Sequence, residues 1–231
     1  MKWFGRSRQS GYDKVAPKDP ALQSVYQSCT TLDPRQVMKT PVNETRFVII
    51  DTETTGFQAY ADDEIVSIAM LELTGLHTMG QEYQTFINPQ RSIPESSTEI
   101  HGITDDDVND APALNEALPD IIQFIGDAVI IGHHINFDLR FLNRRLQKLI
   151  GCSLPNPWID TMLLFLELTG KMGHYSLENV AQAAGVEIKN RHTAYGDAMA
   201  TLQIFQVMAQ QMVKDKEPVS RLISMQYNNE L

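Results

Sequence analysis

Asp51-Thr52-Glu53-Thr54-Thr55-Gly56 sets two carboxylates two residues apart, directly after the apolar run Phe47-Val48-Ile49-Ile50. Side chains alternate between the faces of a strand, so Asp51 and Glu53 point the same way at the strand's end. Sheet strand ends are where α/β proteins place their sites. Another acid closes Gly132-His133-His134-Ile135-Asn136-Phe137-Asp138, where a second buried strand gives way to a helix, and His192-Thr193-Ala194-Tyr195-Gly196-Asp197 leads into the last long helix. Each segment alone has an ordinary explanation: a polar turn after a strand, a helix-capping aspartate worth about 1 kcal/mol, or a histidine in a surface loop. The combination does not, because independent caps have no reason to converge on one edge of a sheet.

Two bare carboxylates about 4 Å apart repel by roughly 4 kcal/mol at an effective dielectric near 20. Such a cluster must therefore be partly protonated or hold cations. All-oxygen ligands suit hard ions such as magnesium or manganese, and two ions about 4 Å apart can flank a phosphodiester during in-line attack. His192, of a residue type with an ordinary pKa near 6.5, is suited to accept the proton of an attacking water.

The elements that must position these groups follow from the apolar pattern. Phe47 to Ile50 reads as a central strand buried on both faces. Strands at Glu64 to Leu73 and Glu82 to Asn88, separated by a turn region from Gly75 to Gly80, complete a three-strand meander. After it the chain alternates: a helix at Leu114 to Ile125, a strand at Ala128 to Ile131 and a helix at Asp138 to Ile150. Leu139, Leu142, Leu146 and Leu149 recur at helical spacing and form a core stripe. A final helix, Tyr195 to Val213, carries Ala198, Thr201, Leu202, Phe205, Met208, Ala209 and Met212 on one face, its methionines filling gaps in the core. The expected fold is an α/β sheet of mixed strand directions.

Residues 1–45 contain Pro17, Pro20, Pro34 and Pro41 without a sustained strand pattern, and form an expected extension, partly irregular, with a short helix near Ala21 to Ser28. Residues 46–213 form the main domain and 214–231 a polar tail, expected to be loosely held after Pro218. At 231 residues, 42% hydrophobic and 21% charged, the chain can bury one substantial core. Its apolar runs are too short to span a bilayer, and the start Met1-Lys2-Trp3-Phe4-Gly5-Arg6 lacks a signal-peptide stretch, so a cytoplasmic protein is expected. Cys29 and Cys152 lack the paired spacing of a zinc site or a disulfide framework. A net charge of -10 counts against a general nucleic-acid coating protein, though not against an enzyme that grips a strand end through bound metal.

These motifs resemble the DEDD exonucleases of the histidine subtype, a family that includes the proofreading subunit of the bacterial replicative polymerase. The resemblance rests on Asp51-Thr-Glu53-Thr-Thr-Gly, on Asn136-Phe-Asp138 with Phe141-Leu142, and on His192 with Asp197; Glu99-Ile-His101-Gly-Ile-Thr-Asp105 and Tyr175-Ser-Leu177 support it. It covers about residues 46 to 213 in order. It implies a ribonuclease-H-like fold, a central mixed five-stranded sheet flanked by helices. Asp51, Glu53, Asp138 and Asp197 would be ligands of two divalent cations, Mg2+ or Mn2+, and His192 the general base. Thr54, Thr55 and Gly56 would line the terminal-nucleotide pocket, with His101 nearby. His134 stands where many relatives have asparagine, and a polar contact to the terminal nucleotide is expected of it. His133 is expected to be a buried, hydrogen-bonded histidine, and His77 and His174 receive no role.

The resemblance favours a 3'-to-5' exonuclease acting on a DNA 3' end, of proofreading or repair type, over one that trims RNA or short oligoribonucleotides. A polymerase or another protein could be held through the extension, and no membrane is involved. A non-catalytic scaffold of the same fold is the remaining alternative; it need not retain four carboxylates and His192, and this chain has them.

Overall fold

In the computed structural model, residues 17–227 are described, so residues 1–16 of the expected extension, the Met1 to Arg6 start and residues 228–231 of the expected tail lie outside the described residues. Helix α1 (Pro20–Thr31) begins where Asp19 accepts the Ala21 N–H at 2.9 Å and Pro20 supplies a preset first turn. A second helix, α2 (Pro34–Val37), opens the same way on Asp33. α1 buries Val25 and Cys29 in the main core, so this part of the extension is docked structure.

Strand β1 (Arg46–Thr54) divides the molecule. Phe47 and Ile49 enter one hydrophobic core while Val48 and Ile50 enter the other, which is why the run is apolar at every position. β2 (Ile65–Thr74) pairs antiparallel with β1, and β3 (Thr78–Phe86) antiparallel with β2. The meander is as expected, except that its turn is only Gly75 to His77: Gly75 adopts φ 59°, and Thr78 to Gly80 already belong to β3. Short helices α3 (Glu95–His101) and α4 (Asp105–Val108) precede α5 (Leu114–Ile125). Next come β4 (Val129–Gly132), α6 (Asn136–Ile150), β5 (Trp158–Asp160), α7 (Thr161–Thr169), α8 (Leu177–Ala184), α9 (Ala194–Met212) and α10 (Ser220–Met225).

The five strands lie in the order β3-β2-β1-β4-β5, with β4 parallel to both β1 and β5. α1, α5 and α6 contribute to the core on one face and α7 to α10 to the core on the other, giving a mixed five-stranded sheet flanked by helices. β5 escaped the pattern because it is three residues long, too short for periodicity to register. Phe205 of α9 packs against Phe47 of β1 with ring centroids 5.1 Å apart, fixing that helix on the sheet.

The expectation of a loosely held tail is corrected. Val219 and Leu222 are fully buried, and Gln226, 1% exposed, accepts the Asp160 N–H at 2.9 Å and donates to the Trp158 carbonyl at 2.9 Å. The Val219 and Ser220 amides donate to the carbonyls of Thr40 and Met38, tying the segment to the extension. Burial of a few apolar side chains and satisfaction of the β5 backbone outweigh the polar composition that pointed to disorder. Among the described residues no helix is long and apolar enough to cross a membrane.

Candidate active site

Alternation along β1 decides which carboxylates meet. Asp51 and Glu53 share the face of Phe47 and Ile49, the face on which α9 packs. Asp197, in the first turn of α9, therefore lands beside them, and one ligand oxygen from each of the three lies within 4.8 Å of the others. Asp138 comes from α6 on the opposite face. The registered pairing of β1 with β4 runs only from Phe47 to Ile49, so β1 projects beyond its neighbour and groups from both faces can approach Asp51. Asp138 accepts a 2.6 Å hydrogen bond from Thr52 Oγ1, the residue between Asp51 and Glu53 that faces the other way.

Neither helix aspartate is a cap. α9 is capped by Thr193, whose hydroxyl accepts the Gly196 N–H at 3.1 Å, and α6 begins two residues before Asp138 without a side-chain cap. Asp138 and Asp197 are 4% and 3% exposed, so each carboxylate is held out of water for a reason other than helix termination. Burial raises all four above the ordinary carboxylate range, helped at Asp51 and Glu53 by repulsion from the neighbouring acids: Glu53 and Asp138 to about 7, Asp51 well above its usual value, and Asp197 upward despite the opposing charge of Arg191. Asp197 Oδ1 is buried with no hydrogen-bond partner. An orphaned carboxylate oxygen inside a three-acid group fits a hard divalent cation.

A cleft of about 570 Å³ opens over these groups. Its lining includes Asp51, Glu53, Asp197 and His192, together with Thr54, Thr55, Gly56, His101 and His134; buried Asp138 lies behind it. The Thr54 hydroxyl donates to the Gly56 carbonyl at 2.7 Å, and that of Thr55 donates to Asp63 at 3.1 Å while accepting the Glu64 N–H. Both hydroxyls thus shape the loop after β1. Arg144 of α6 clamps that loop by donating to the carbonyls of Ala61 and Asp63 at 2.7 Å each.

His101 Nδ1 accepts the Ile103 N–H at 3.0 Å, which places the proton of the neutral ring on Nε2, a buried nitrogen without a hydrogen-bond partner. Burial lowers its pKa. His133 is held on both ring nitrogens, by Thr161 Oγ1 and the Tyr175 carbonyl at 3.0 Å each, and burial pushes its pKa down to about 4. His134 adopts φ 58°, its amide held by Asp160 at 3.1 Å, and its ring stacks on His174 with centroids 4.2 Å apart. His174, for which no role was expected, is therefore part of the cleft wall, whereas His77 is not among the cleft's lining residues.

Sequence reasoning passed over Arg191. Its guanidinium donates to Asp197 Oδ2 and, from Nε, to Glu178 Oε1 of α8 at 2.5 Å. A basic residue beside His192 was the only available signal, and nothing local says that it turns inward.

Residues 48–205 match the family model described as exonuclease. The chain belongs to the exonuclease family. It is 41% identical over 170 residues to the DNA polymerase III subunit epsilon-like protein of Rhodobacter capsulatus, a match covering 72% of this chain and 24% of that one. The DNA polymerase III subunit epsilon of Aquifex aeolicus is 31% identical, with 69% and 78% covered. The chain thus spans about a quarter of the first of these relatives and most of the second. In three dimensions it resembles the nuclease domain of 3'hExo, a DEDDh family member bound to rAMP, with a TM-score of 0.65, 17% identity and coverage of 74% of this chain and 95% of that one. That likeness shows the fold, a mixed five-stranded sheet flanked by helices.

Proposed function

We propose that this exonuclease removes nucleoside monophosphates from nucleic-acid 3' ends, with single-stranded or mispaired DNA as substrate in proofreading or repair. The observation that carries the reading is the convergence of Asp51, Glu53 and Asp197 within 4.8 Å, with Asp138 bonded to Thr52 between the first two and His192 on the cleft wall. The cleft's volume falls within the roughly 300–1,000 Å³ usual for small-ligand sites, ample for one terminal nucleotide.

In this reading Asp51, Glu53, Asp138 and Asp197 hold two divalent cations, magnesium or manganese. When bound, such a pair supplies a water of lowered pKa and stabilises the departing oxygen. His192 accepts the proton of the attacking water on its imidazole. Thr52 keeps Asp138 oriented, while Thr54, Thr55, Gly56, His101 and His134 form the walls that seat the terminal nucleotide. The catalytic unit is residues 46–213, in the cytoplasm, with the extension 1–45 available to a polymerase or other protein partner and Gln226 bracing β5. The epsilon relatives favour DNA. The neighbour bound to rAMP favours the second reading, trimming of RNA ends.

End-labelled single-stranded DNA and RNA of matched sequence, incubated with magnesium, manganese or chelator and resolved to single nucleotides, tests both readings. A cation-dependent ladder shortening from the 3' end, absent with D51A, is expected, and the DNA-to-RNA rate ratio separates the two. Cleavage that survives in D51A or in chelator would refute the site.

A further inference from the structure

Arg191 occupies a place in the acidic group that no role described above explains. Its side chain, 31% exposed, bridges Glu178 of α8, 49% exposed, and Asp197, 5% exposed. The Asp197 oxygen it engages belongs to the carboxylate that shares the three-acid group with Asp51 and Glu53, and the other oxygen of the same carboxylate is the buried orphan. Its positive charge also acts on Asp51 and Glu53, opposing the rise that burial imposes on both.

The backbone enforces this placement. Asn190 and His192, on either side, adopt φ 53° and 63°, a region that non-glycine residues rarely occupy. The loop lies so close to α9 that a Cβ added at Gly196 would stand 2.2 Å from the Asn190 carbonyl oxygen and 2.4 Å from that of Lys189. Only glycine permits the approach, and the approach carries Arg191 into the acids and His192 onto the cleft wall.

A guanidinium and a divalent cation both require Asp197, and a carboxylate oxygen already engaged by Arg191 Nη1 is a poorer ligand. The geometry points to Arg191 as a positioning residue of the nuclease site: a resident counter-cation, tethered by Glu178, that holds Asp197 and the His192 loop in place and yields Asp197 to the incoming metal ion. The inference rests on the two-cation reading proposed above. Arg191 compensates the repulsion of the acids in the metal-free protein, and that same pairing opposes cation entry. Glu178, half-exposed on α8, keeps the displaced guanidinium beside the acids.

Calorimetric titration of Mn2+ into wild type, R191Q and R191K, with melting temperatures measured in chelator and in saturating Mn2+, tests this without recourse to activity. R191Q is expected to bind Mn2+ about five- to tenfold more tightly than wild type, the scale of losing one partly exposed ion pair as competitor. It is also expected to melt lower in chelator, the gap closing in Mn2+. R191K, which keeps the charge but not the guanidinium, falls between the two. Should R191Q not fold, the same comparison is made with R191K alone. A wild-type protein that binds no Mn2+ overturns the two-cation reading and this inference with it. Mn2+ binding in wild type that is unchanged or weakened in R191Q and R191K overturns the competition alone.

Discussion

Thr52 Oγ1 donates a 2.6 Å hydrogen bond to Asp138 Oδ1, and both residues are buried. The bond lies on the α6 face of the sheet. It joins the strand that carries Asp51 and Glu53 to the helix that brings Asp138 from the opposite face. A hydrogen bond to a charged group is worth roughly 1.5–3 kcal/mol, most of it visible when one partner is deleted inside the protein. T52V keeps the shape and removes the donor. We expect it to reduce kcat/KM by roughly 10- to 100-fold and to lower the melting temperature by roughly 2–8 °C. Activity at the wild-type level would show that the orientation of Asp138 does not matter.

The elevated carboxylates make a signed prediction about pH. Glu53 and Asp138 titrate near 7 in the folded protein, chiefly because burial disfavours their charged forms, against an ordinary value of about 4 in the unfolded chain. A raised folded pKa means that the folded state retains protons the unfolded state has lost. This contribution to stability is fully present below about pH 4 and is lost as the pH rises through about 7. In chelator, the melting temperature should therefore fall between about pH 5 and pH 7.5 more steeply in wild type than in D138N, which cannot ionise there. Identical slopes in the two proteins would show that Asp138 is not held protonated, and Mn2+ at pH 7.5 should restore the wild-type melting temperature.

For His192 the expected outcome separates a base from a ligand. H192A should lower the hydrolysis rate by roughly 10²- to 10⁴-fold, the usual worth of a positioned proton acceptor. Mn2+ affinity, measured by calorimetry, should stay within about threefold of wild type if His192 is no ligand. A collapse of affinity would make it one.

Gly196 tests the packing of the Arg191 loop. G196A forces a Cβ into the carbonyls of Lys189 and Asn190, and overpacking of this kind costs about 1–3 kcal/mol. Displacement of the loop also moves His192, so hydrolysis should drop by more than the loss of folded protein explains. Full activity per folded molecule, judged by circular dichroism and melting, would mean that the loop can move without disturbing the site.

Much of the site was legible in the sequence because its information is local. The two-residue spacing of Asp51 and Glu53 after an unbroken apolar run fixes their common face, and helical periodicity placed α5, α6 and α9 to within two residues. Helix and strand periods depend on backbone geometry alone, so the sequence by itself determined which acids stand at which element ends. Other features depend on how separate elements pack. That Asp51, Glu53 and Asp197 form one group while Asp138 arrives from the other face follows from α9 and α6 packing on opposite sides of β1. The inward turn of Arg191, the stacking of His174 on His134 and the bracing of β5 by Gln226 follow from contacts between residues distant along the chain. No period or composition encodes such contacts. Only the tertiary structure decided them, because a side chain's partner is set by which surfaces are buried together once the sheet has closed its two cores.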